Sequence, residues 1–168
     1  SWRDYIWLEA AMNLSRTELY LYHLRDAKIH LWQIYEKTAA ENSLLKDNQI
    51  KKIFYPQDCP VQTSDYIQIN NTEETFLGAE NSDENTKSNQ EILINYSTQA
   101  LIQLGIAFRK TRDYQIARRI FAFVLTSDVS VEADGSIHYN VDALNNYAVC
   151  LRKSGMKLED IDEREEGF

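Results

Sequence analysis

Apolar residues recur at helical spacing through the first quarter of the chain. From Trp2 to about Lys46 there is no glycine and no proline. The apolar positions that follow helical spacing there are Trp7, Ala10, Leu14, Leu21, Leu24, Leu31 and Tyr35. One helix of this length would measure about 60 Å, far more than an ordinary globular helix. The pattern therefore predicts two helices with a turn near residues 20–22.

The next stretch changes from apolar to polar. Residues 43–55 carry enough leucine, isoleucine and phenylalanine for one short helix, which Pro56 and Pro60 then stop. Asn, Thr, Ser, Asp and Glu dominate residues 62–90, a composition that buries too little apolar surface to offset the cost of ordering. We predict N-terminal helices over residues 1–55 and a flexible acidic loop over 62–90.

Helical spacing returns at about Glu91 and runs to Arg109, then from Tyr114 to about Thr126, with Asp113 as the predicted N-cap. Residues 128–140 alternate around Asp134-Gly135, which predicts a small β-hairpin with a two-residue turn. A further helix is predicted over residues 141–153, ended by Ser154-Gly155, and the tail 158–168 is strongly acidic.

Two of these helical segments repeat one another. Residues 101–110 read LIQLGIAFRK and residues 144–153 read LNNYAVCLRK, at an offset of 43 residues. A short helical unit that recurs cannot bury its apolar face alone, so the repetition predicts stacked helical pairs.

Residues 98–129 resemble a tetratricopeptide repeat (TPR). The first helix of the resemblance has its large, small and aromatic positions at Leu101, Leu104, Gly105, Ala107 and Phe108. The turn and the second helix match at Asp113, Tyr114, Ala117, Phe121 and Leu125. Gly105 and Ala117 would lie where the two helices approach most closely.

Two further segments fit the family less completely. The unit over residues 141–168 matches at Ala143, Leu144, Tyr147, Ala148, Cys150 and Leu151, but Asp160 replaces the small residue of its second helix. An N-terminal unit fits at Leu14, Ser15, Ala27, Leu31 and Ile34. The resemblance implies one all-α domain over residues 1–168: antiparallel helical hairpins stacked as a short α-solenoid, with the best unit at 91–127 and a β-hairpin insert at 128–140. A generic helical bundle is the alternative.

The resemblance also implies a binding face, because first helices of this family line a concave groove. The candidate partner-binding residues are Gln99, Ile102, Ile106, Arg109 and Lys110 from one unit, and Asp142, Asn145, Val149, Arg152 and Lys153 from the next. The repeated Arg-Lys pairs favour an extended acidic or C-terminal peptide, since arginine grips carboxylates with two hydrogen bonds. The alternative is that these pairs only complement the helix dipole.

Charge and cysteine content narrow the classes of partner. The formal net charge of −8 argues against broad contact with nucleic acid or an anionic membrane. Cys59 and Cys150 are widely separated without a CxxC spacing, which favours free thiols in a reducing, cytoplasmic compartment. The sequence contains no candidate membrane span or secretory leader, so we expect an intracellular protein.

No phosphate loop, nucleophile elbow or paired catalytic His and Cys is present in the sequence, and no cofactor is expected. His23, Asp26 and His30 share one helical face, which leaves a metal-dependent helical enzyme or regulator as a third hypothesis. We predict a non-catalytic scaffold or adaptor that binds a partner segment in its groove. The alternative is a structural subunit of a large assembly whose groove is not free.

Overall fold

A computed structural model describes residues 2–40 and 83–155 of the chain. In these residues it contains five helices and one two-stranded antiparallel sheet: α1 (Trp2–Tyr20), α2 (Leu24–Ala40), α3 (Asp83–Lys110), α4 (Tyr114–Ser127), β1 (Val129–Val131), β2 (Ile137–Tyr139) and α5 (Val141–Ser154). The mostly helical fold with a small β-hairpin agrees with the prediction. The predicted helix at 43–55, Cys59, residues 62–82 of the predicted acidic loop and the acidic tail at 158–168 lie outside the described residues.

Each helix packs mainly against the next helix along the chain. The principal contacts join α1 to α2, α2 to α3, α3 to α4 and α4 to α5, with smaller contacts between α1 and α3 and between α3 and α5. A single apolar core follows this order, from Leu8 and Met12 through Leu104 and Phe121 to Cys150. We call α1–α2 the first helix pair and α3–α4 the second helix pair.

The two helix pairs turn in the same way. Tyr22 (φ 60°) and Arg112 (φ 65°) both adopt the left-handed conformation, 90 positions apart. The backbone N–H that follows donates to an equivalent carbonyl in each pair, from His23 to Glu18 at 2.8 Å and from Asp113 to Phe108 at 2.9 Å. The predicted turn near residues 20–22 is confirmed, and the shared geometry sets a residue-by-residue register between the pairs.

Gly155 occupies the same turn position after α5. Its φ is 66°, and it lies 43 positions after Arg112, which is the offset of the sequence repeat. Its N–H donates to the Arg152 carbonyl at 3.4 Å, and the Arg112 N–H donates to the Arg109 carbonyl at 3.0 Å. The predicted end of the last helix at Ser154-Gly155 is confirmed, with glycine in the conformation it adopts at lowest cost.

Gly105 marks the closest approach within the second helix pair. A Cβ atom at Gly105 would lie 2.6 Å from Phe121 Cζ, closer than carbon atoms can pack. Phe121 itself is fully buried, as is Ala117 on the same helix. The absence of a side chain at Gly105 therefore leaves room for the Phe121 ring.

The buried face of α1 differs from the predicted one. Leu8, Met12, Ser15 and Leu19 are buried, whereas Ala10 is exposed and Leu14 keeps 50% of its surface exposed. Both sets have helical spacing, so periodicity alone could not choose between them. Packing against α2 decides the choice.

Two local predictions at the N-termini of helices also change. Helix α3 begins at Asp83 rather than Glu91, so residues 83–90 extend a helix whose later turns are held by the core; extension adds a hydrogen bond per residue without a new nucleation cost. Asp113 sits at the N-cap but makes no side-chain cap hydrogen bond; its carboxylate instead accepts from Thr111 Oγ1 at 2.8 Å.

The β-hairpin closes through a three-residue loop instead of the predicted two-residue turn. Val129 faces Tyr139 and Val131 faces Ile137 across the sheet. The Glu132 N–H donates to the Ser136 carbonyl at 2.9 Å, which leaves residues 133–135 as the loop. Gly135 takes the left-handed position there, with φ 84°.

Candidate functional site

An open cavity of ≈ 530 Å³ lies against the middle turns of α3, over residues 91–103. Residues from α1, α3, the connection from α4 to α5 and the first turn of α5 line it: Arg16, Glu91, Ile94, Asn95, Thr98, Gln99, Ile102, Gln103, Asp128, Asn140 and Asp142. This volume falls within the range of sites that bind small ligands or parts of a peptide. We call it the α3 cavity.

The floor of the α3 cavity consists of two stripes along α3. One stripe is polar, with Glu91, Asn95, Gln99 and Gln103 at intervals of four residues. The other, Ile94, Thr98 and Ile102, is more apolar and has the same interval. Positions four apart lie on neighbouring turns of one side of a helix, so the floor follows α3 for roughly 18 Å. An extended chain covers that length in about five or six residues.

Hydrogen bonds hold part of the polar stripe in place. Arg16 Nη2 donates to Gln99 Oε1 at 3.0 Å, and Gln99 Nε2 donates to Asn95 Oδ1 at 3.3 Å. Arg16 Nη1 donates to Asn13 Oδ1 at 3.1 Å, which fixes the guanidinium from its own helix. The Gln103 amide makes no hydrogen bond within residues 5–39 or 88–155, and the Asn95 amino group donates none there. Both amides can therefore bind a ligand without breaking an existing contact.

Asn140 organises the wall opposite this stripe. It is the N-cap of α5, where its Oδ1 accepts from the Ala143 N–H at 3.0 Å. Its Nδ2 donates to Asp128 Oδ2 at 2.9 Å, so the carboxylate that follows α4 is tied to the start of α5. Asp142 follows in the first turn of α5. Asp128 and Asp142 thus line one wall on a short, hydrogen-bonded segment.

The α3 cavity brings together some of the predicted site residues. Gln99, Ile102 and Asp142 all line it, although they come from both repeated units. Ile102 is buried beneath the floor, with 5% of its surface exposed. Ile106 and Val149 are half-buried and lie outside the lining, and Asn145 is exposed elsewhere on α5.

The two Arg-Lys pairs do not line this cavity. Arg109 and Lys110 form the last turn of α3, and Lys110 Nζ lies 4.7 Å from the centroid of the Tyr22 ring. Arg109 Nε is buried with no hydrogen-bond partner among the described residues. Arg152 and Lys153 are exposed in the last turn of α5. One pair therefore packs against its own fold while the other faces solvent.

Sequence reasoning missed eight of the residues that line the cavity: Arg16, Glu91, Ile94, Asn95, Thr98, Gln103, Asp128 and Asn140. The interval of four from Glu91 to Gln103 was a usable signal, because a polar stripe at that spacing marks one face of a helix. The Asp128–Asn140 contact joins residues on either side of the β-hairpin, so no local pattern indicates it.

A smaller pocket of ≈ 290 Å³ lies between α1 and α2, lined by Trp7, Ala10, Ala11, Leu14, His30, Gln33 and Ile34. It explains why Trp7 and Leu14 have helical spacing yet remain partly exposed. His30 Nδ1 lies 2.8 Å from Glu18 Oε2, so its ring is engaged by α1. Within the described ranges, no group of three or more His, Cys, Asp or Glu side chains is placed to hold a metal ion.

Cys150 is fully buried in α5. Desolvation raises the pKa of its thiol to about 11, against opposition from the Arg109 and Arg118 guanidiniums. The reactive thiolate is therefore scarce at neutral pH. Cys150 therefore serves as a small residue of the core.

Among the helices of residues 2–40 and 83–155, none combines the length and apolar character needed to cross a bilayer. Comparisons with protein-family models, with curated proteins and with solved structures return no match to this chain.

Proposed function

We propose that this protein is an interaction scaffold that binds an extended segment of another protein in the α3 cavity. The observation that carries the proposal is the double stripe on α3, where amides at intervals of four run beside Ile94, Thr98 and Ile102. Amides offer both donors and acceptors, as an extended peptide backbone requires. Ile94, which is half-buried, offers apolar contact to the side chains of the peptide, whereas Ile102 keeps only 5% of its surface exposed.

The fold that would present this site is a short TPR-like solenoid. Three observations support this part of the proposal: sequential packing of the helices, the repeated left-handed turn at Tyr22, Arg112 and Gly155, and the close contact of Gly105 with Phe121. In such an arrangement α1, α3 and α5 line the concave face. The α3 cavity, with residues from α1, α3 and the start of α5, would be part of that face.

A binding role fits the lining better than a catalytic one. Among the described residues, the cavity lining includes no histidine, the most frequent general base, and no serine, cysteine or lysine nucleophile. Gln99 is already held by Arg16, and the carboxylate of Asp128 by Asn140, which suits a preformed recognition surface. The widely spaced cysteines support an intracellular site of action.

Selection of peptides tests the proposal directly. The purified protein is panned against displayed random peptides, and Kd values of the selected sequences are measured by fluorescence anisotropy. Replacing Asn95 and Gln103 with alanine should weaken binding about tenfold, since each lost hydrogen bond contributes roughly 0.5–1.5 kcal/mol. Gln115→Ala removes an exposed amide on α4, outside the cavity, and should leave Kd unchanged.

Two outcomes would argue against the site. Equal Kd values for the wild type and the Asn95→Ala/Gln103→Ala variant, with equal helicity by circular dichroism, would place peptide binding elsewhere. A loss of binding in the Arg152→Ala/Lys153→Ala variant instead would favour the solvent-facing basic pair as the site.

A structural subunit of a larger assembly remains the second candidate, and exposed apolar residues favour it. Val131, Ile137 and Tyr139 keep half or more of their surface exposed on the β-hairpin, as does Val141 at the start of α5. Fixed neighbours would cover such residues. Under this proposal the protein expressed alone should aggregate, and the Val131→Thr/Ile137→Thr variant should be more soluble, as turbidity would show.

A further inference from the structure

The charges around the α3 cavity are unbalanced. Glu91, Asp128 and Asp142 line it, and the cation that lines it is Arg16. The cavity is therefore acidic, in contrast to the basic groove expected from the Arg-Lys pairs. This difference bears on the charge of the partner segment, provided that the cavity has the proposed binding function.

Arg16 is hydrogen-bonded to neutral amides and not to these carboxylates. Its two terminal nitrogens donate to the amide oxygens of Asn13 and Gln99. Within residues 5–39 and 88–155, neither it nor any other cationic side chain forms an ion pair with the three acids. Three carboxylates thus border one cavity without a positive partner from the part of the chain that the structure describes.

Two of the three acids are held close to the same wall. Asn140 binds Asp128 through Nδ2 and caps α5 through Oδ1, which keeps Asp128 beside the first turn that carries Asp142. Like charges held near each other favour a cation between them. Both carboxylates are exposed, so an incoming cation can reach them directly.

We infer that the partner segment carries a lysine or arginine side chain, which enters the α3 cavity at the wall formed by Asp128 and Asp142. The amides of Asn95 and Gln103 bind the backbone of the segment, and the basic side chain supplies the charge that the cavity lacks. Partners would thus be chosen for positive charge, and the net charge of −8 of the whole chain would attract them over longer distance.

The test uses the peptides selected on the wild-type protein. A basic residue should be enriched at one position, and its replacement by norleucine or glutamine should weaken binding about tenfold. Asp142→Asn should weaken the basic peptide by a similar factor and leave the norleucine peptide unchanged, so the two changes are not additive. Asp142→Lys should shift a new selection toward acidic peptides.

The matched control is Glu132→Gln, which removes one negative charge from the exposed β-hairpin loop outside the cavity. It should change Kd by less than about twofold in buffered salt, because charges beyond a Debye length are screened. A comparable loss in Glu132→Gln would mean that net charge, not the cavity wall, attracts the peptide.

The outcomes separate this inference from the function on which it rests. Selected peptides that lose affinity in Asn95→Ala/Gln103→Ala, but show no basic enrichment and no response to Asp142→Asn, would overturn the charge preference and leave the binding function standing. Peptides indifferent to both variants, or the absence of any binding peptide, would overturn both.

Discussion

The first and second helix pairs share one turn geometry but fill their interiors with different chemistry. In the register set by the turns, Glu18 and His30 of the first pair correspond to Phe108 and Ile120 of the second. The first pair thus joins its helices through a polar contact of 2.8 Å, where the second uses apolar residues. Backbone geometry is retained between the pairs although the side chains that stabilise it differ.

A second difference concerns the closest contact of the helices. Ser15 and Leu31 of the first pair correspond to Gly105 and Phe121 of the second, and all four are buried. A smaller residue on one helix accompanies a larger residue on the other. Ala27 and Ala117 correspond as well, and both are fully buried. The comparison indicates that the summed volume of the two side chains is similar in both helix pairs. The distribution of that volume between the two helices differs.

The largest effect should come from changing how side-chain volume is distributed between the two helices of the second pair. Gly105→Ser should lower the free energy of unfolding by about 2 kcal/mol, because the new Cβ meets the Phe121 ring in a close-packed core. Adding Phe121→Leu, the residue of the first pair, should recover part of this loss. Urea denaturation followed by circular dichroism measures both variants. Ser15→Ala, at the equivalent position, should cost less than about 1 kcal/mol. If the effects of Gly105→Ser and Phe121→Leu on the free energy of unfolding are strictly additive, the two side chains do not compete for the same space.

The polar contact of the first pair should respond differently to single and double changes. Glu18→Ala should cost about 1–2 kcal/mol, since it leaves the half-buried His30 ring without its partner. Glu18→Phe with His30→Ile copies the second pair and should stay within about 1 kcal/mol of the wild type, because apolar replacement removes both polar groups together. Thermal and urea unfolding measure this. A double variant that is less stable than Glu18→Ala would show that the two interiors are not interchangeable.

The shared turn offers a smaller effect of opposite sign. Arg112→Gly should raise the free energy of unfolding by about 1 kcal/mol, since glycine adopts a φ of 65° without the strain that a Cβ brings. Gln115→Gly, three residues later and inside α4, should instead lower it by about 1 kcal/mol. Opposite signs in the same denaturation experiment are the expected result, and equal losses would mean that the turn is not strained at Arg112.

The smallest effect at neutral pH concerns Cys150, which corresponds to Ala107 in the repeat and is equally buried. Because its pKa is raised from 9.0 to about 11, the unfolded chain loses the thiol proton first, and wild-type stability should fall as pH rises from about 9 to about 11. Below pH 9 this contribution is intact. Cys150→Ala should flatten the dependence in that window and change stability little at pH 7. Identical pH profiles for both proteins would contradict the assigned cause.

Helix positions and the repeated turn were predictable from the sequence because they depend on local spacing. The end of α5 at Gly155 and the β-hairpin at Asp134-Gly135 have strong local signals, and both are observed. The turn at Tyr22 lacks glycine and proline, so only the limit on helix length indicated it. The prediction of the buried face of α1 was wrong because Leu8 and Leu14 belong to competing stripes with equal periodicity.

The site was predictable only where it follows one helix. Gln99 and Ile102 were named from the repeat, and both line the α3 cavity. Its acidic wall depends on the hydrogen bond between Asn140 and Asp128 across the β-hairpin, a tertiary contact that sequence spacing does not indicate. The Arg-Lys pairs repeated clearly in sequence, yet Lys110 lies over Tyr22 instead of facing the cavity.

The loop at the tip of the β-hairpin is a suitable position for a probe of ligand binding. A Cβ at Gly135 would meet no heavy atom within 4 Å, so the loop is surrounded by open space. The strands that carry it lead directly to Asp128 on one side and Asn140 on the other, both of which line the cavity. A small fluorophore attached at this loop would therefore report occupancy of the cavity from outside it, with every lining residue left unchanged.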